Sequence, residues 1–151
     1  MALCDIGLVY DPATRRCDHA FNGTDLVLDF TPRTPVLVAL GCDRRANPDD
    51  ELPDDSGTLY APTILNPRRG SPCDMLVPNG RRTGSRLWLL IRRKQQENTR
   101  RLAETAAAEA LDGFVTDTGL TAAIKAEWVR RGILGLRVAV GDNAINLALA
   151  L

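Results

Sequence analysis

The chain has 151 residues, of which 44% are hydrophobic and 25% charged, with 19 basic and 19 acidic side chains. This size and composition fit one globular domain that buries a core without disulfides or metal ions. The balanced charge argues against a general nucleic-acid-binding protein, which needs excess positive charge to displace counterions. No apolar stretch approaches the length of a membrane-spanning helix, and no signal-peptide pattern is present. We therefore expect neither nucleic acid nor a membrane among the partners.

The four cysteines (Cys4, Cys17, Cys42 and Cys73) are widely and irregularly spaced. None belongs to a C-x-x-C pair, and this argues against a zinc site. We interpret them as reduced thiols of a protein made in the cytoplasm, and a disulfide stays open as the alternative.

Residues 1–30 predict a small β-meander. Asp11-Pro12 indicates a turn, and Asn22-Gly23 is a dipeptide typical of hairpin turns. The alternating apolar pattern places three strands, at 6–10, 17–21 and 26–30. The only histidine, His19, falls in the second strand, and we interpret it as a strand-surface residue rather than a catalytic base.

The apolar segment 36–40 has two interpretations. Thr34 suits an N-cap and Pro35 suits the first position of a helix, which favours a short helix ending near Cys42. The β-branched residues of the segment would also suit a strand. We favour the helix.

Periodicity is lost between residues 43 and 83, a segment that holds six of the nine prolines and an acidic run. Long irregular segments in small domains are usually functional or disordered. The acidic run at 49–55 lacks the glycine and the terminal glutamate of an EF-hand loop, so we interpret it as a solvated loop. We expect limited proteolysis to cut first within 47–82 and to leave 84–140 intact.

The stretch 84–94 is the predicted centre of the domain, since five large apolar residues stand in a row between basic ones. We predict a short helix over 84–93, with Leu87, Leu90 and Ile91 on one face and Trp88 beside them. Residues 56–101 contain ten basic and two acidic residues. This basic run is either a solvated face or a polar docking surface.

A long helix is predicted over 99–117. Asn98 and Thr99 supply its N-terminal cap, and Gly119 ends it. One stripe at helical spacing is apolar and rich in alanine, which lets another element approach closely: Ala103, Ala107, Ala110, Leu111 and Phe114.

The last third of the chain predicts β-structure. Two alternating segments flank a tight turn at Arg131-Gly132, and a last strand follows. The predicted strands are 122–129, 134–140 and 145–149. We predict an α+β fold, with helices packed on one face of a mainly antiparallel sheet. A single domain, 1–151, would then consist of a meander (1–30), a long irregular loop (43–83), helices (84–118), and a β-hairpin with a last strand (121–151).

The sequence contains no familiar catalytic signature: no G-x-S-x-G, no P-loop, no H-E-x-x-H and no dinucleotide fingerprint. A pair of carboxylates could serve a glycosidase, but the acidic residues cluster in a loop without an apolar pocket. We therefore expect no catalytic, cofactor-binding or metal-binding residues, and no cofactor.

Five segments of the chain carry a resemblance to a known family: Leu8-Val9-Tyr10-Asp11-Pro12-Ala13-Thr14, Asp25-Leu26-Val27-Leu28, Asp43-Arg44-Arg45-Ala46, Gly84-Ser85-Arg86-Leu87-Trp88-Leu89-Leu90 and Glu127-Trp128-Val129-Arg130-Arg131-Gly132-Ile133-Leu134. In this order they resemble the small baseplate proteins of Mu-like contractile-tailed phages and prophages. The resemblance spans nearly the whole chain except 47–82 and the last ten residues. The middle loop departs from the family, since Leu59-Tyr60 stands where an aromatic Gly-Trp-Trp-like segment is usual.

The resemblance implies a structural protein and not an enzyme. The family is similar to a baseplate-wedge protein, historically labelled lysozyme-like, of larger contractile tails. It implies several copies in a symmetric baseplate of the virion tail, assembled in the host bacterial cytoplasm with other baseplate, wedge and tail proteins. Two alternatives stay open: a peptidoglycan-degrading, lysozyme-like tail enzyme and a free-standing protein-binding module.

The resemblance also implies partner-binding residues. In relatives, an acidic-Pro-Arg motif after the long helix grips a helical bundle of neighbouring wedge proteins. Proline is absent from the matching segment here, so only Glu127 and Arg130 carry over. Trp128 is either an anchor for that contact or a core residue. Three further arginines are either internal ion-pair partners or wedge contacts: Arg44, Arg45 and Arg86.

Overall fold

A computed structural model describes residues 3–53, 66–75 and 80–151. In these residues, two helices and seven strands confirm the predicted α+β class. The strands are β1 (Asp5–Ile6), β2 (Leu8–Asp11), β3 (Arg16–His19), β4 (Leu28–Asp29), β5 (Ala122–Arg130), β6 (Ile133–Val140) and β7 (Asn143–Ala150), and the helices are α1 (Arg33–Gly41) and α2 (Glu97–Thr118). The division of the chain into a single domain with four units stays a prediction.

The three C-terminal strands form an antiparallel sheet in the order β5-β6-β7. The predicted hairpin is confirmed, and Gly132 makes its turn with a φ of 73°. Side chains of β6 alternate, so that Leu134, Leu136 and Val138 are buried against the helices. A bulge lies between Trp128 and Arg130 and shifts the register at the end of β5.

Helix α2 packs its alanine stripe on this sheet, and Ala103, Ala107 and Leu111 are buried as predicted. The predicted N-terminal cap is wrong, because the helix begins at Glu97, two residues earlier. Thr99 lies inside the first turn, where its Oγ1 donates a 2.8 Å hydrogen bond to the carbonyl of Lys94. The C-terminal end is confirmed, since Gly119 is left-handed and its N–H bonds Val115.

Helix α1 confirms the helical interpretation of 36–40, but Thr34 is not its N-cap. The helix begins at Arg33, so Thr34 and Pro35 are its second and third residues. Thr34 is buried and its Oγ1 donates to Asp29 Oδ2 at 2.8 Å, while the same carboxylate oxygen accepts the Thr34 N–H at 3.0 Å. A carboxylate from the preceding strand thus stabilises the helix start in place of a local cap.

The predicted helix over 84–93 is wrong in extent. Only a 3₁₀ turn forms, at Leu87–Leu90. A β-turn follows, in which Arg92 has a φ of 71° and the Arg93 N–H donates to the Leu90 carbonyl at 3.0 Å. Leu87 and Leu90 enter the main core, whereas Trp88 and Leu89 pack in a second cluster with Ala46. A turn with three residues per repeat can supply side chains to two clusters at once, which one face of an α-helix cannot. Ile91, predicted on the core face, is instead 39% exposed.

The N-terminal meander is present, but its strands are shorter than predicted. They form two antiparallel pairs, β1 with β4 and β2 with β3. The first predicted strand is interrupted at Gly7. Three backbone bonds close the meander on itself: Gly7 N–H to Val27 (2.7 Å), Val27 N–H to Ala20 (2.9 Å) and Ala20 N–H to Gly7 (2.8 Å). A Cβ on Gly7 would meet the Val27 oxygen at 3.1 Å, which explains the glycine.

Two of the described parts of the predicted irregular loop, 43–53 and 66–75, are hydrogen-bonded to each other. Ala46 N–H donates to the carbonyl of Arg68 at 2.9 Å, and Arg69 Nη1 bonds Asp43 Oδ2 at 2.7 Å. The Arg69 guanidinium also lies 4.4 Å from the centre of the Trp88 ring. Leu59-Tyr60 and two parts of the expected protease-sensitive segment, 54–65 and 76–79, lie outside the described residues, so that expectation stays a prediction.

Candidate partner-binding site

Two predicted arginines converge on one glutamate of α2. Arg86 Nε donates to Glu109 Oε2 at 2.8 Å, and Arg44 Nη2 lies 3.7 Å from Glu109 Oε1. Arg44 Nη1 also donates to the Glu109 carbonyl at 3.2 Å. All three side chains are partly shielded from solvent, at 18% exposure for Arg44, 25% for Arg86 and 31% for Glu109. We call this set, together with Asp50, the arginine–carboxylate cluster.

A backbone bridge sets the two arginines side by side. Ser85 N–H donates to the carbonyl of Cys42 and Arg44 N–H to the carbonyl of Ser85, each at 2.9 Å. Gly84 makes this approach possible, since its φ is 92° and an added Cβ would lie 2.5 Å from the Cys42 oxygen. Residues 44 and 86 therefore leave the paired segments next to each other and reach the same turn of α2.

Asp50 extends the cluster from the middle loop. Its two oxygens accept hydrogen bonds from Arg86 Nη1 at 2.9 and 3.0 Å, and Oδ2 accepts the Asn47 N–H at 2.7 Å. Burial alone would raise the pKa of Asp50, but the Asn47 amide and the Arg86 guanidinium together lower it below its ordinary value. Asp50 is thus held ionised, and its interpretation as part of a solvated acidic run is wrong.

Arg45 does not join the cluster. Its side chain is exposed, and Nη1 bonds the Asn66 side chain at 3.4 Å. Neighbouring residues 44 and 45 point apart, as expected for an extended segment. Arg45 is therefore available to a partner in a way that Arg44 and Arg86 are not.

Glu127 and Arg130 lie at the edge strand β5, and both are exposed. The Glu127 carboxylate pairs with Lys125 on the same face, and the hydrogen bond and charge of Lys125 lower the pKa of Glu127. Arg130 follows the bulge after Trp128 and ends the strand. Trp128 is half-buried and packs against the main core, which supports its interpretation as a core residue.

A second ionic group fixes β5 to α2. Glu104 Oε1 accepts the N–H of Ala126 at 2.9 Å, and Arg100 Nη1 donates to the Ala126 carbonyl at 3.3 Å. Arg100 and Glu104 also pair with each other at 2.5 Å. These bonds use the outward backbone groups of an edge strand, which otherwise invite pairing with another chain. Glu127 therefore stands on a strand that α2 holds in place.

The described residues contain no group of three His, Cys, Asp or Glu side chains placed to hold a metal ion. Cys4, Cys17 and Cys42 are free thiols, and the Cys73 side chain lies outside the described part. His19 lies in β3 and is exposed. Among the helices in the described ranges, neither has the length and apolar character needed to cross a bilayer.

The comparison with known families decides the identity of the chain. Residues 32–146 match the family described as phage protein GP46. The chain belongs to this family. Over 139 residues it is 34% identical to the protein named baseplate protein gp46 of Escherichia phage Mu, covering 91% of this chain and 87% of that protein. No solved structure matches. The resemblance to the Mu-like baseplate family is confirmed.

In this GP46-family chain, the five predicted partner-binding residues fall into three separate places. Arg44 and Arg86 share the arginine–carboxylate cluster, Arg45 lies beside it, and Glu127 and Arg130 lie on the hairpin. Sequence reasoning missed Glu109, although it supplies the acceptor for two of the arginines. Glu109 looks in the sequence like an ordinary exposed position of an alanine-rich helix, and no motif marks it.

Proposed function

We propose that this protein is a structural component of the contractile-tail baseplate of a phage or prophage. One observation carries the proposal: 34% identity along nearly all of both chains to a protein named baseplate protein. The protein acts by contact with other baseplate, wedge and tail proteins during assembly. It is made in the host cytoplasm and stands in several copies in a symmetric baseplate.

The carboxyl groups of the described residues with shifted pKa values resemble members of structural ion pairs. A glycosidase needs a general acid whose pKa is raised. Every carboxyl group of the described residues with a shifted pKa has it lowered: Asp11, Asp29, Asp50, Glu97, Asp117 and Glu127. Hydrogen bonds and nearby cations stabilise the ionised forms, as in structural ion pairs. We therefore propose the structural role ahead of the lysozyme-like alternative.

We further propose that Glu127, Arg130 and Arg45 contact partner proteins. All three are exposed, and Glu127 stands on a strand fixed by Arg100 and Glu104. A rigid exposed charge loses less freedom on binding than a mobile one. Arg44 and Arg86 could bind a partner only if they gave up their bonds to the carboxylates within the chain.

The test is deletion of the gene from an inducible phage or prophage, followed by complementation with the wild-type chain. Electron microscopy of the lysate should show tails without complete baseplates after deletion and whole particles after complementation. Mass spectrometry of purified tails should find the chain. Normal, infectious tails that lack it would overturn the proposal. Lysis of purified cell walls by the chain, lost on mutation of one carboxylate, would favour the enzymatic alternative.

A further inference from the structure

The C-terminal sheet has one face that the described helices do not cover. Leu134, Leu136 and Val138 of β6 are buried in the main core, so the side chains that alternate with them point to the opposite side of the sheet. That side carries the odd-numbered residues of β5 and β6 and the even-numbered residues of β7, and we name it the outer sheet face. Arg137, in the middle strand, is exposed, so no described element lies over the centre of this face.

Two positive charges stand side by side on the outer sheet face. Lys125 of β5 lies directly opposite Arg137 of β6, and Arg137 lies directly opposite Asn146 of β7. All three residues are exposed. Opposite residues of an antiparallel pair have Cβ atoms about 4.5–5.5 Å apart, and like charges in that position destabilise a sheet. The fold gains nothing from this pair of cations, whereas a bound anion would.

A groove of about 440 Å³ lies on the outer sheet face. Its lining includes Arg137, Ile133 at the start of β6 and Pro12 of the meander. Val129, at the bulge of β5, also lines the groove and is 70% exposed. Gly135 leaves room for this side chain, since an added Cβ would lie 2.7 Å from Val129 Cγ2. An exposed apolar side chain and a cation therefore share one groove.

Arg137 is the cation of the pair that has no partner. Lys125 forms an ion pair with Glu127 on the same face. Arg137 forms no ion pair and no side-chain hydrogen bond with any described residue. Asp11, in the meander turn beside the groove, is not its partner: the Asp11 carboxylate accepts hydrogen bonds within its own turn, at 2.7 and 2.8 Å. The charge of Arg137 is therefore uncompensated within the described part of the chain.

A carboxylate is the group that fits this arrangement best. Placed between Lys125 and Arg137, it would offset their repulsion and accept charge-assisted hydrogen bonds, of which a guanidinium can donate two in parallel. The amide of Asn146, opposite Arg137, offers a further donor. A large apolar side chain next to the carboxylate would cover Val129 in the same groove. An acidic protein segment meets both requirements, whereas a polynucleotide backbone brings the charge without the apolar side chain.

A second copy of this chain is the competing source of such a segment. Its Asp18 is exposed and lies opposite Val9 in the β2–β3 pair. Arg16 lies two residues away on the same face of β3, and it forms no ion pair with the described residues. Docking Asp18 on the outer sheet face would bring Arg16 toward Arg137, and like charges that face each other across an interface cost affinity. This cost favours a different protein.

We propose that the outer sheet face is the docking surface for a different tail protein, which presents an aspartate or glutamate beside a large apolar side chain. Arg137, with Lys125 and Asn146, binds the carboxylate, and Val129 contacts the apolar side chain. The inference rests on the proposed function, since a neighbouring tail protein is the source that we assign. It adds the chemistry of the partner to the contact proposed for Glu127.

The first test is complementation of the deletion strain with Arg137→Glu, against Arg33→Glu as the matched control. Arg33 is exposed on α1 and forms no ion pair with the described residues, so both variants change the same kind of charge. Arg137→Glu should reduce the amount of the chain in purified tails at least roughly tenfold, because loss of one member of an interfacial charge pair weakens binding by that much or more. Arg33→Glu should be incorporated like the wild type.

Thermal unfolding separates docking from a structural role of Arg137. Arg137→Glu places opposite charges at positions 125 and 137, so its unfolding temperature should equal or exceed that of the wild type. A structural role predicts the reverse. An unfolding temperature that is lowered in both Arg137→Glu and the neutral variant Arg137→Gln would make this arginine an internal support and overturn the proposal.

The outcomes keep the two proposals apart. A wild-type chain absent from tails overturns the proposed function. A wild-type chain present in tails together with normally incorporated Arg137→Glu overturns the docking surface alone. If Arg137→Glu is unstable and Arg137→Gln is not, the neutral variant decides, since it too removes the cation and should be depleted from tails.

The second test identifies the occupant. A carbodiimide joins an ammonium group directly to a carboxylate in contact with it. Assembled tails are treated with the reagent, using wild-type tails, in which Lys125 can react, and tails carrying Arg137→Lys, in which position 137 can. We expect a cross-link from either position to an aspartate or glutamate of another tail protein that has a large apolar residue beside it. A cross-link to Asp18 of a second copy in its place, or no cross-link to another tail protein in intact tails, overturns the proposal.

Discussion

The C-terminal sheet and the meander share one kind of sequence pattern but differ in the exposure of their apolar side chains. Both alternate apolar with other residues, yet Leu134 and Val138 of β6 are 0% exposed while Phe21 and Phe30 of the meander are 66% and 65% exposed. Helices α1 and α2 pack on one face of the sheet, whereas the two phenylalanines of the meander stay uncovered by any element of the described residues. Alternation therefore shows that a strand has an apolar face, but not whether the same chain covers it.

The largest expected difference between the two regions is in stability. Leu134→Ala should lower the free energy of unfolding by about 2–5 kcal/mol, because it opens a cavity in the main core. Leu28→Ala should change it by only about 0.5 kcal/mol, since that side chain is already 55% exposed. Urea unfolding followed by circular dichroism measures both. Equal losses would mean that the meander is an internal part of the core.

A second prediction concerns the arginine–carboxylate cluster, which joins the middle loop to the body. Glu109→Gln should cost about 1–3 kcal/mol of stability, because two partly buried guanidinium groups lose their charged acceptor. Glu127→Gln is the matched control: its side chain is 65% exposed and solvent screens its pair with Lys125, so it should lose less stability than Glu109→Gln. Thermal unfolding of both variants at low and high salt gives the comparison. Similar small losses would show that the cluster does not brace the loop.

The elements with long, unbroken periodicity could be predicted from the sequence. Helix α2 has its buried stripe where the alanines recur, and β6 buries the residues that alternate. The helix starts could not be predicted, because their stabilising groups are not local signals. Asp29 acts on Thr34 from the preceding strand, and Thr99 bonds a carbonyl instead of capping.

The cluster partners could not be predicted either, and sequence distance explains why. Arg44 meets Glu109 across 65 residues, and Arg86 meets Asp50 across 36. Charged residues on helices and in acidic runs are usually solvated, so nothing local marks these two as exceptions. The short apolar row at 87–90 was recognisable as buried, but only packing against two clusters decides that it forms a 3₁₀ turn.

A smaller effect should appear in acid, where Asp50 of the arginine–carboxylate cluster becomes protonated. The pKa of Asp50 is lowered in the folded protein, so its stabilising contribution is complete above the unfolded-state pKa of about 3.9 and is lost as pH falls through the folded value. The pKa of Glu97 is lowered to about 2 by hydrogen bonds from Arg100 and then Arg101, so the same sign applies there.

The measurement is the unfolding temperature between about pH 6 and pH 2, for the wild type and for Asp50→Asn. The wild type should lose stability below about pH 4.5, and Asp50→Asn should start lower and fall less steeply. Asp142→Asn, changed in an exposed turn, should follow the wild-type curve. Parallel curves for wild type and Asp50→Asn would show that this carboxylate has the same pKa in the folded and unfolded states.

The smallest effect on stability is expected at the hairpin, where the same variants should have a large effect on assembly. Glu127 and Arg130 are exposed on β5, so Glu127→Ala and Arg130→Ala should each leave the unfolding temperature close to that of the wild type. If a partner buries them as charge pairs across the interface, each variant should weaken the binding of that partner by about 2–5 kcal/mol. Less of the partner should then co-purify with the variant. Co-purification of a neighbouring wedge protein, compared with thermal unfolding of the same samples, separates the two effects. If both variants assemble normally, the partner contact lies elsewhere, at Arg45 or at the exposed apolar residues of the meander. Unfolding of either variant would instead make these residues internal supports of the bulge at Trp128.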